Sequence, residues 1–385
     1  MKLAGLRVLD LSRFLPGPYI GLSMADHGAE VIKIESFDGE PTRHLGPPVD
    51  GHPIYFRNTQ RGKLSLRVNL KHAEGVEIFL RLADESDVII DSFRPGVVDR
   101  LGIGYDAIKA RNPGIVYCSL SAFGQKGSLA QRPSHDLGAQ ALTGTLSLAQ
   151  TDGRAPSMPA SPTADVALGS IALAGIMMAL FRRSQSGEGD FLDMSMTDAL
   201  MSWNPHIISN VVANDSPPDL EHERLYGGAA FYNIYATKDE RYIVLSGAEM
   251  NFVENLLTAL ERPDLIELCR EPWGPAQDPV KEFLTELFQT NTLSHWDEWL
   301  ADKGVCYAPV LDLHEAWQQA YFRERGIVEV GNDGVERLNT PIRFHTEPGK
   351  PSDKLSDLGA DTHDLLDRLG YSSRERERLS DLGVI

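Results

Sequence analysis

Short apolar runs alternate with amphipathic stretches over the first 125 residues, and this alternation constrains the fold more than any other feature of the chain. The apolar runs are suited to buried strands and the stretches between them to helices. Such alternation is typical of a parallel, doubly wound sheet, so we expect a large Rossmann-like α/β domain. No GxGxxG follows the first run, so a dinucleotide site is not indicated. The predicted strands are 6–12, 29–35, 87–93 and 114–124, and the predicted helices are 18–28, 72–86 and 105–112.

A polar, glycine-rich stretch at 214–228 marks the predicted end of the large domain. We expect the large α/β domain over 1–215 and a smaller α+β domain over 216–320. Beyond Tyr321 the hydrophobic periodicity is lost, which indicates a long linker. Residues 321–385 are therefore predicted to form a connector and C-terminal helices that return to the large domain.

The charge balance disfavours nucleic acid as a partner. The chain carries 37 basic and 55 acidic residues, a net charge of −18. A local basic patch could still bind an anion. The three cysteines are isolated, and no CxxC pair indicates a metal site or a disulfide framework. We expect a reducing, cytoplasmic location, because the N-terminus also lacks a signal-peptide pattern.

Asp165 stands at the mouth of an apolar run of 16 residues, Val166–Phe181. A membrane span needs about 20 apolar residues, so a buried helix and no membrane partner are expected. An aspartate at such a position is most often a helix N-cap. It also lies where the helix dipole favours anions, and a shielded, ionised carboxylate is a potential nucleophile toward a thioester. Both interpretations stay open at this point.

Residues 56–71 form a basic segment without a single acidic residue. Arginine and lysine side chains recognise phosphates. The alternative is a solvated, strand-like surface. The basic residues of this segment are Arg57, Arg61, Lys63, Arg67 and Lys71.

Four further polar residues follow predicted strands or open predicted helices. Arg94 precedes a Pro-Gly turn past a strand end, where α/β sheets bind ligands, although a surface arginine would look the same. Lys126 lies in a glycine-rich loop, and His135 stands at a helix entrance as a general acid or base or as a packing histidine. Glu249 follows a strand of the small domain and also suits an ordinary helix N-terminus.

Together these motifs resemble the family III CoA-transferases, a family that also contains alpha-methylacyl-CoA racemase. The resemblance implies an acyl-CoA substrate, a carboxylic acid as second substrate, no tightly bound cofactor, no metal, and an interlocked homodimer. It implies that CoA is bound by Arg57, Lys63, Leu64, Ser65, Arg94 and Lys126. The matching stretches are GLRVLDLSRFLPGP (5–18), ADHGAEVIKIE (25–35), LSLRVNLK (64–71), DSFRPGVVDRLGIGYD (91–106), GIVYCSLSAFGQ (114–125), SHDLGAQALTG (134–144) and residues 164–200.

The transferase members imply that Asp165 attacks the thioester and carries CoA covalently, with Gly227 and Gly228 as a flexible loop over the site. The racemase members imply instead that His135 and Asp165 flank the substrate α-carbon as two bases, with Glu249 supporting the histidine. His135 and the stretch GGAAFYNIY (227–235) are racemase-like, whereas the continuation GAQALTG after Leu137 has the transferase form. We favour CoA transfer and keep racemisation as the alternative.

Overall fold

The computed structural model describes residues 1–149 and 155–385. It divides the chain into a large unit, residues 1–204 with 321–385, and a small unit, residues 205–320. The first boundary lies earlier than the sequence indicated, because the helix Pro205–Asn214 groups with the small unit.

A six-stranded parallel sheet forms the centre of the large unit. Its spatial order is β5-β2-β1-β6-β7-β8, which is 3-2-1-4-5-6 when the six strands are counted along the chain. This is the doubly wound order, whose topological switch point lies between β1 and β6. The strands of this unit up to residue 204 are β1 Arg7–Asp10, β2 Glu30–Glu35, β3 Pro48–Val49, β4 His52–Pro53, β5 Leu64–Arg67, β6 Val88–Asp91, β7 Val116–Ser121 and β8 Phe191–Ser195, of which β3 and β4 form a separate hairpin.

Helices cover both faces of this sheet. They are α1 Pro16–Asp26, α2 Ile54–Gln60, α3 Ala73–Asp84, α4 Val97–Arg100, α5 Tyr105–Arg111, α6 Asp136–Leu142, α7 Thr163–Ser186 and α8 Met196–Ser202. Successive residues of β1 point to opposite faces: Val8 packs with α1, α7 and α8, and Leu9 packs with α3 and α5. Each face therefore has its own hydrophobic core.

The small unit has a three-stranded antiparallel sheet with helices packed against it. Trp296 lies in its core and donates its indole N–H to the carbonyl of Phe288 at 2.9 Å. Its strands are β9 Tyr232–Ala236, β10 Tyr242–Ser246 and β11 Tyr307–Pro309, and its helices are α9 Pro205–Asn214, α10 Met250–Ala259, α11 Asp278–Phe288, α12 Leu293–Leu300 and α13 Leu313–Gln318.

The segment after residue 320 packs on the large unit. Leu365, Leu366 and Leu379 join the core that lines the α3 face of the sheet. Ser356 donates its hydroxyl to the carbonyl of Lys63 at 3.0 Å, which fastens the segment beside β5. Its elements are α14 Ala320–Glu324, β12 Val328–Val330, β13 Glu336–Leu338, α15 Thr362–Arg368 and α16 Ser373–Asp381.

Helix α7 is longer than the sequence indicated. It has 24 residues, and it is long and apolar enough to cross a membrane by length and composition alone, so the length argument against a span was wrong. The core helix of a globular protein passes the same test. One stripe of α7 packs on the sheet and on α1, where Gly169 permits a close approach because a Cβ there would lie 3.0 Å from the carbonyl oxygen of Pro16. The buried residues of α7 are Ala164, Ala167, Leu168, Gly169, Ala172 and Ile176.

Candidate active site

Two clefts lie at the carboxyl ends of the parallel strands, at the switch point of the sheet. The larger has a volume of about 420 Å³ and is bordered by the loops that follow β1, β2, β5 and β6. The smaller has a volume of about 250 Å³ and is bordered by the loops that follow β1, β6 and β7 and by the start of α7. Arg13 and Phe93 border both clefts, so the two spaces meet at these side chains.

Asp165 borders the smaller cleft as the third residue of α7. Its carboxylate is partly buried and meets no cation and no hydrogen-bond donor among residues 1–149 and 155–385. Burial raises the pKa of this carboxyl to about 6, and the nearby charge of Asp136 adds to the effect. Asp165 is therefore an unpaired acid that is mostly ionised at neutral pH and accessible from the cleft.

Asp136, not Asp165, caps helix α7. Its Oδ1 accepts hydrogen bonds from the backbone N–H groups of Ala164 at 2.7 Å and Asp165 at 3.2 Å, while Gln140 donates to its Oδ2 at 2.7 Å. The N-cap position itself, Pro162, supplies no side-chain bond. The sequence alone does not indicate this role for Asp136, because it depends on a helix that begins far along the chain. Asp136 also occupies N–H groups that could otherwise have faced an anionic ligand.

His135 borders the same cleft from the entrance of α6. The imidazole is exposed, and the ring of Phe14 meets it edge-on with 6.0 Å between the ring centroids. Phe14 has a φ of 63°, an uncommon conformation for a bulky residue, and its N–H donates to Oε1 of Glu40 at 3.0 Å. The structure thus brings together the predicted residues Asp165, His135 and Arg94.

Tyr55 is a second residue that the sequence analysis missed. It is partly buried on α2, and burial raises the pKa of its hydroxyl to about 12, with smaller contributions from the charges of Asp165 and Glu40. The hydroxyl therefore stays protonated at working pH and lies within electrostatic reach of Asp165.

Lys63 is a structural residue, which corrects the phosphate-binding role predicted for it. Its side chain is 2% exposed, and its ammonium donates to Oδ2 of Asp10 at 2.9 Å, to the carbonyl of Pro18 at 3.0 Å and to Oε1 of Gln60 at 2.9 Å. Burial by itself would raise the pKa of Asp10, but the charges of Lys33 and Lys63 outweigh it and hold that pKa well below its usual range. With all its hydrogens donated inside the protein, Lys63 cannot reach a phosphate.

Arg57 and Ser65 are also engaged internally. Arg57 pairs with Asp333 at 2.5 Å, and Ser65 donates to Glu35 at 2.7 Å. Leu64 packs against the hydrophobic core. The cavities beside these residues measure about 20 and 10 Å³, too small for a CoA phosphate. The predicted roles of these three residues in CoA binding stay predictions, and of the five basic residues of the segment only Lys71 borders the larger cleft.

Four predicted residues have no demonstrated place at the clefts. Lys126 is exposed and does not border either of them. Glu249, on the small unit, pairs with Arg224 at 3.3 Å. Gly227 has a φ of 93°, and Gly228 is closely packed, since a Cβ there would lie 2.7 Å from the carbonyl oxygen of Glu221. Their proposed roles in catalysis and substrate binding stay predictions.

The described part of the chain contains one group of possible metal ligands, Asp219, Glu221 and His222, all exposed on the small unit. Exposed acidic groups of this kind are common without an ion, and the group indicates no chemistry at Asp165.

Comparison with known proteins assigns the chain and its fold to one family. The family described as CoA-transferase family III matches residues 3–362. Human succinyl-CoA:glutarate CoA-transferase is 29% identical, with 100% of this chain and 90% of the relative covered. Human alpha-methylacyl-CoA racemase is also 29% identical, with coverage of 100% and 98%. The crystal structure of a CAIB/BAIF family protein from Brucella suis superposes with a TM-score of 0.83 at 30% identity, over 95% of this chain and 99% of that one.

Proposed function

The chain belongs to the family III CoA-transferases, and on that premise we propose that it moves CoA from an acyl-CoA donor to a carboxylic acid through covalent intermediates on Asp165. The observation that carries the proposal is the state of the Asp165 carboxylate. It borders a cleft, it has no cationic partner in the described chain, and its pKa of about 6 leaves it ionised at neutral pH. A carboxylate in this state is free to act as a nucleophile.

The proposed reaction runs through two kinds of covalent intermediate. The Asp165 carboxylate attacks the acyl carbonyl, the carbon–sulfur bond breaks, and a mixed anhydride and CoA thiolate form. The thiolate attacks the aspartyl carbonyl and releases the donor acid, which leaves CoA as a thioester on Asp165. The acceptor carboxylate then attacks this thioester to give a second anhydride, and the thiolate takes the acceptor acyl group and frees Asp165. No net proton is gained or lost.

We place the CoA nucleotide in the larger cleft and its thioester end at Asp165. The cationic side chains of Arg13 and Lys71 border the larger cleft and suit phosphates. Arg13 and Phe93 border both clefts, which supports a route for the pantetheine arm from one to the other. This placement replaces the assignment to Arg57 and Lys63.

Asp136 and Tyr55 support Asp165 in this scheme. Asp136 fixes the first turn of α7 and, through its charge, raises the pKa of Asp165. Tyr55 keeps its proton and is a candidate donor to oxygen atoms that develop negative charge at Asp165. Because Asp136 already engages the N–H groups of Ala164 and Asp165, the start of α7 does not serve as an oxyanion hole.

Racemisation of a 2-methylacyl-CoA is the second candidate. His135 borders the same cleft as Asp165, as a two-base exchange at the α-carbon requires. The racemase and transferase relatives have the same percentage identity to this chain, so similarity alone does not separate the two reactions.

A pair of assays separates them. Wild type, Asp165→Asn and His135→Ala are incubated with a panel of acyl-CoA donors and carboxylic acids, and new acyl-CoA species are measured by chromatography. Transfer that requires Asp165 and persists in His135→Ala supports the proposal. In parallel, a 2-methylacyl-CoA is incubated in D2O. Deuterium at the α-carbon that either substitution abolishes, without any transfer, would establish the racemase instead.

We further propose that the protein is a cytoplasmic, interlocked homodimer. A partner surface is supported by exposed apolar side chains on α7, where Met178 is 71% and Phe181 is 69% exposed. The cytoplasmic location rests on the free cysteines Cys118, Cys269 and Cys306.

A further inference from the structure

Phe14 holds a backbone conformation that bulky residues rarely adopt. Its φ is 63°, in the left-handed region where the Cβ of a side chain crowds the backbone. The residue stands between β1 and α1 and borders the Asp165 cleft. A strained conformation of this kind persists only where the surrounding structure imposes it. The turn at Phe14 therefore depends on contacts from outside the loop.

Side chains from outside the loop hold its backbone at each of three successive residues. At Phe14 itself, the N–H donates to Oε1 of Glu40 at 3.0 Å. Because each residue of the loop is held separately, the left-handed turn is fixed before any ligand binds. The bonds to the two preceding residues are those from Ser12 N–H to Oδ1 of Asp10 at 3.0 Å, from the Lys33 ammonium to the Ser12 carbonyl, and from Arg13 N–H to Oγ of Ser92 at 3.1 Å.

Glu40 links the turn at Phe14 to buried charges. Its carboxylate is fully buried, Oε1 accepts from the N–H of Phe14 and from Oγ1 of Thr42, and Oε2 faces the ammonium of Lys33 at 3.3 Å. Both oxygens thus face donors. A glutamine has only one accepting oxygen and would turn its NH2 group toward one of these donors. Only a carboxylate satisfies both sides, so the whole side chain of Glu40 is committed to holding the loop.

The ring of Phe14 forms one side of the Asp165 cleft. Its edge-on contact with the imidazole of His135 holds the ring in place, in addition to the fixed backbone. Leu168 and Met196 add further apolar surface to the same cleft. With a volume of about 250 Å³, the cleft is smaller than pockets for drug-sized ligands, which measure about 300–1,000 Å³. An acyl group bound at Asp165 therefore meets a fixed aromatic ring within a short distance.

We propose that Phe14 limits the length of the acyl group accepted at Asp165, and that Glu40 is the positioning residue that holds Phe14 in place. The inference rests on the proposed function and adds a specificity-determining residue to it. It requires an acyl-CoA whose thioester reaches Asp165, and it does not require a particular second substrate.

The test compares two straight-chain donors, butanoyl-CoA and octanoyl-CoA, with the best acceptor from the panel. Wild type is expected to have a kcat/KM for butanoyl-CoA roughly tenfold or more above that for octanoyl-CoA, because the fixed ring excludes the additional methylenes. Phe14→Ala removes the ring and should raise the ratio of octanoyl-CoA to butanoyl-CoA use roughly tenfold.

Phe344→Ala is the matched control for Phe14→Ala. Phe344 is 39% exposed, as Phe14 is, and its ring also meets a histidine, His27, edge-on. It borders neither cleft, so its replacement should keep the wild-type ratio. An unchanged ratio in Phe14→Ala, an equal change in Phe344→Ala, or equal use of both donors by wild type would overturn the role of Phe14.

Glu40→Gln tests the positioning role. It should raise the same ratio by a smaller factor than Phe14→Ala, because the ring stays but its backbone loses a fixed partner. A merely structural role would lower kcat/KM for both donors equally and leave their ratio unchanged, and that result would overturn the role of Glu40. If Glu40→Gln does not fold, Phe14→Ala still decides the inference, because it leaves the buried carboxylate and its bonds intact.

If no acid accepts CoA, the proposed transfer fails and the inference is judged by binding alone. Butanoyl-CoA and octanoyl-CoA are then titrated by calorimetry into wild type, Phe14→Ala and Phe344→Ala. A gain in relative affinity for octanoyl-CoA in Phe14→Ala only supports a length limit without transfer. The same relative affinity in all three proteins, or no binding of either acyl-CoA, overturns the inference.

Discussion

The carboxylate of Asp136 accepts a hydrogen bond from the backbone N–H of Asp165 at 3.2 Å and, at the same time, opposes the ionisation of the Asp165 side chain. One residue thus fixes the position of the proposed nucleophile and raises its pKa. The two effects on Asp165, on its position and on its pKa, can be separated experimentally. Asparagine at position 136 keeps the oxygen that accepts this hydrogen bond but removes the charge.

We predict that Asp136→Asn shifts the acidic limb of the transfer pH profile to lower pH. Without the Asp136 charge, the pKa of Asp165 falls from about 6 toward its ordinary value, although burial still holds it above that value. Asp136→Ala also loses the cap and should lower the free energy of unfolding by about 1 kcal/mol. The checks are kcat against pH and urea denaturation. An acidic limb at the same pH in Asp136→Asn would show that its charge does not tune Asp165.

Asp165→Asn is predicted to stabilise the protein at pH 7. The folded pKa of about 6 exceeds the ordinary value of 3.8, so the folded protein binds the proton more tightly than the unfolded chain does. The penalty of ionising Asp165 is complete above pH 6, decreases as the pH falls through the window from about 6 to 3.8, and is absent below it. After discounting for partial exposure we expect a gain of about 1–2 kcal/mol at pH 7, measured by urea denaturation. A gain of the same size at pH 3.5 would contradict the explanation.

Lys63 and Lys71 are predicted to have opposite phenotypes. Lys63→Met leaves Asp10 buried with one cation fewer and should lower the free energy of unfolding by about 3–5 kcal/mol. Lys71→Ala should change stability by less than about 0.5 kcal/mol but weaken CoA binding roughly threefold to tenfold. Denaturation and calorimetry measure the two effects. Normal CoA affinity in Lys71→Ala, together with weak CoA binding by a fully stable Lys63→Met protein, would restore the original assignment.

Phe181→Asp is predicted to break the proposed homodimer. A charge placed on an apolar side chain that is 69% exposed costs little in an isolated chain but opposes its burial against a second copy. Light scattering coupled to size exclusion should report a dimer for wild type and a monomer for the variant. Arg374→Asp, on α16 at the opposite face of the sheet, is the control and should stay dimeric. Equal masses for all three proteins would show that α7 does not contribute to a dimer interface.

The sequence predicted those parts of the fold whose signal is local. The strands β1, β2, β6 and β7 were found because each is a short apolar run between helical stretches. Strand β8 was missed because its residues, Phe191–Ser195, lie within a region of mostly helical character and acquire their partner only in the sheet.

The candidate site was also predictable only where its signal is local. Asp165 and His135 lie in recognisable motifs, and the position of the cleft follows from the strand order. Asp136 and Lys63 were not predictable, because a cap and a buried ion pair depend on residues distant in sequence, Asp165 and Asp10. The sequence of a basic segment indicates that its lysine binds phosphate. Only the structure shows that the lysine is paired with a carboxylate.

The most direct test of the central claim is covalent trapping at Asp165. Wild type is incubated with an accepted acyl-CoA, treated with hydroxylamine, digested, and examined by mass spectrometry. We predict a hydroxamate on Asp165 that forms only when acyl-CoA is present and that is absent in Asp165→Asn. Rapid CoA transfer by wild type with no modification of Asp165 at any time during turnover would contradict it.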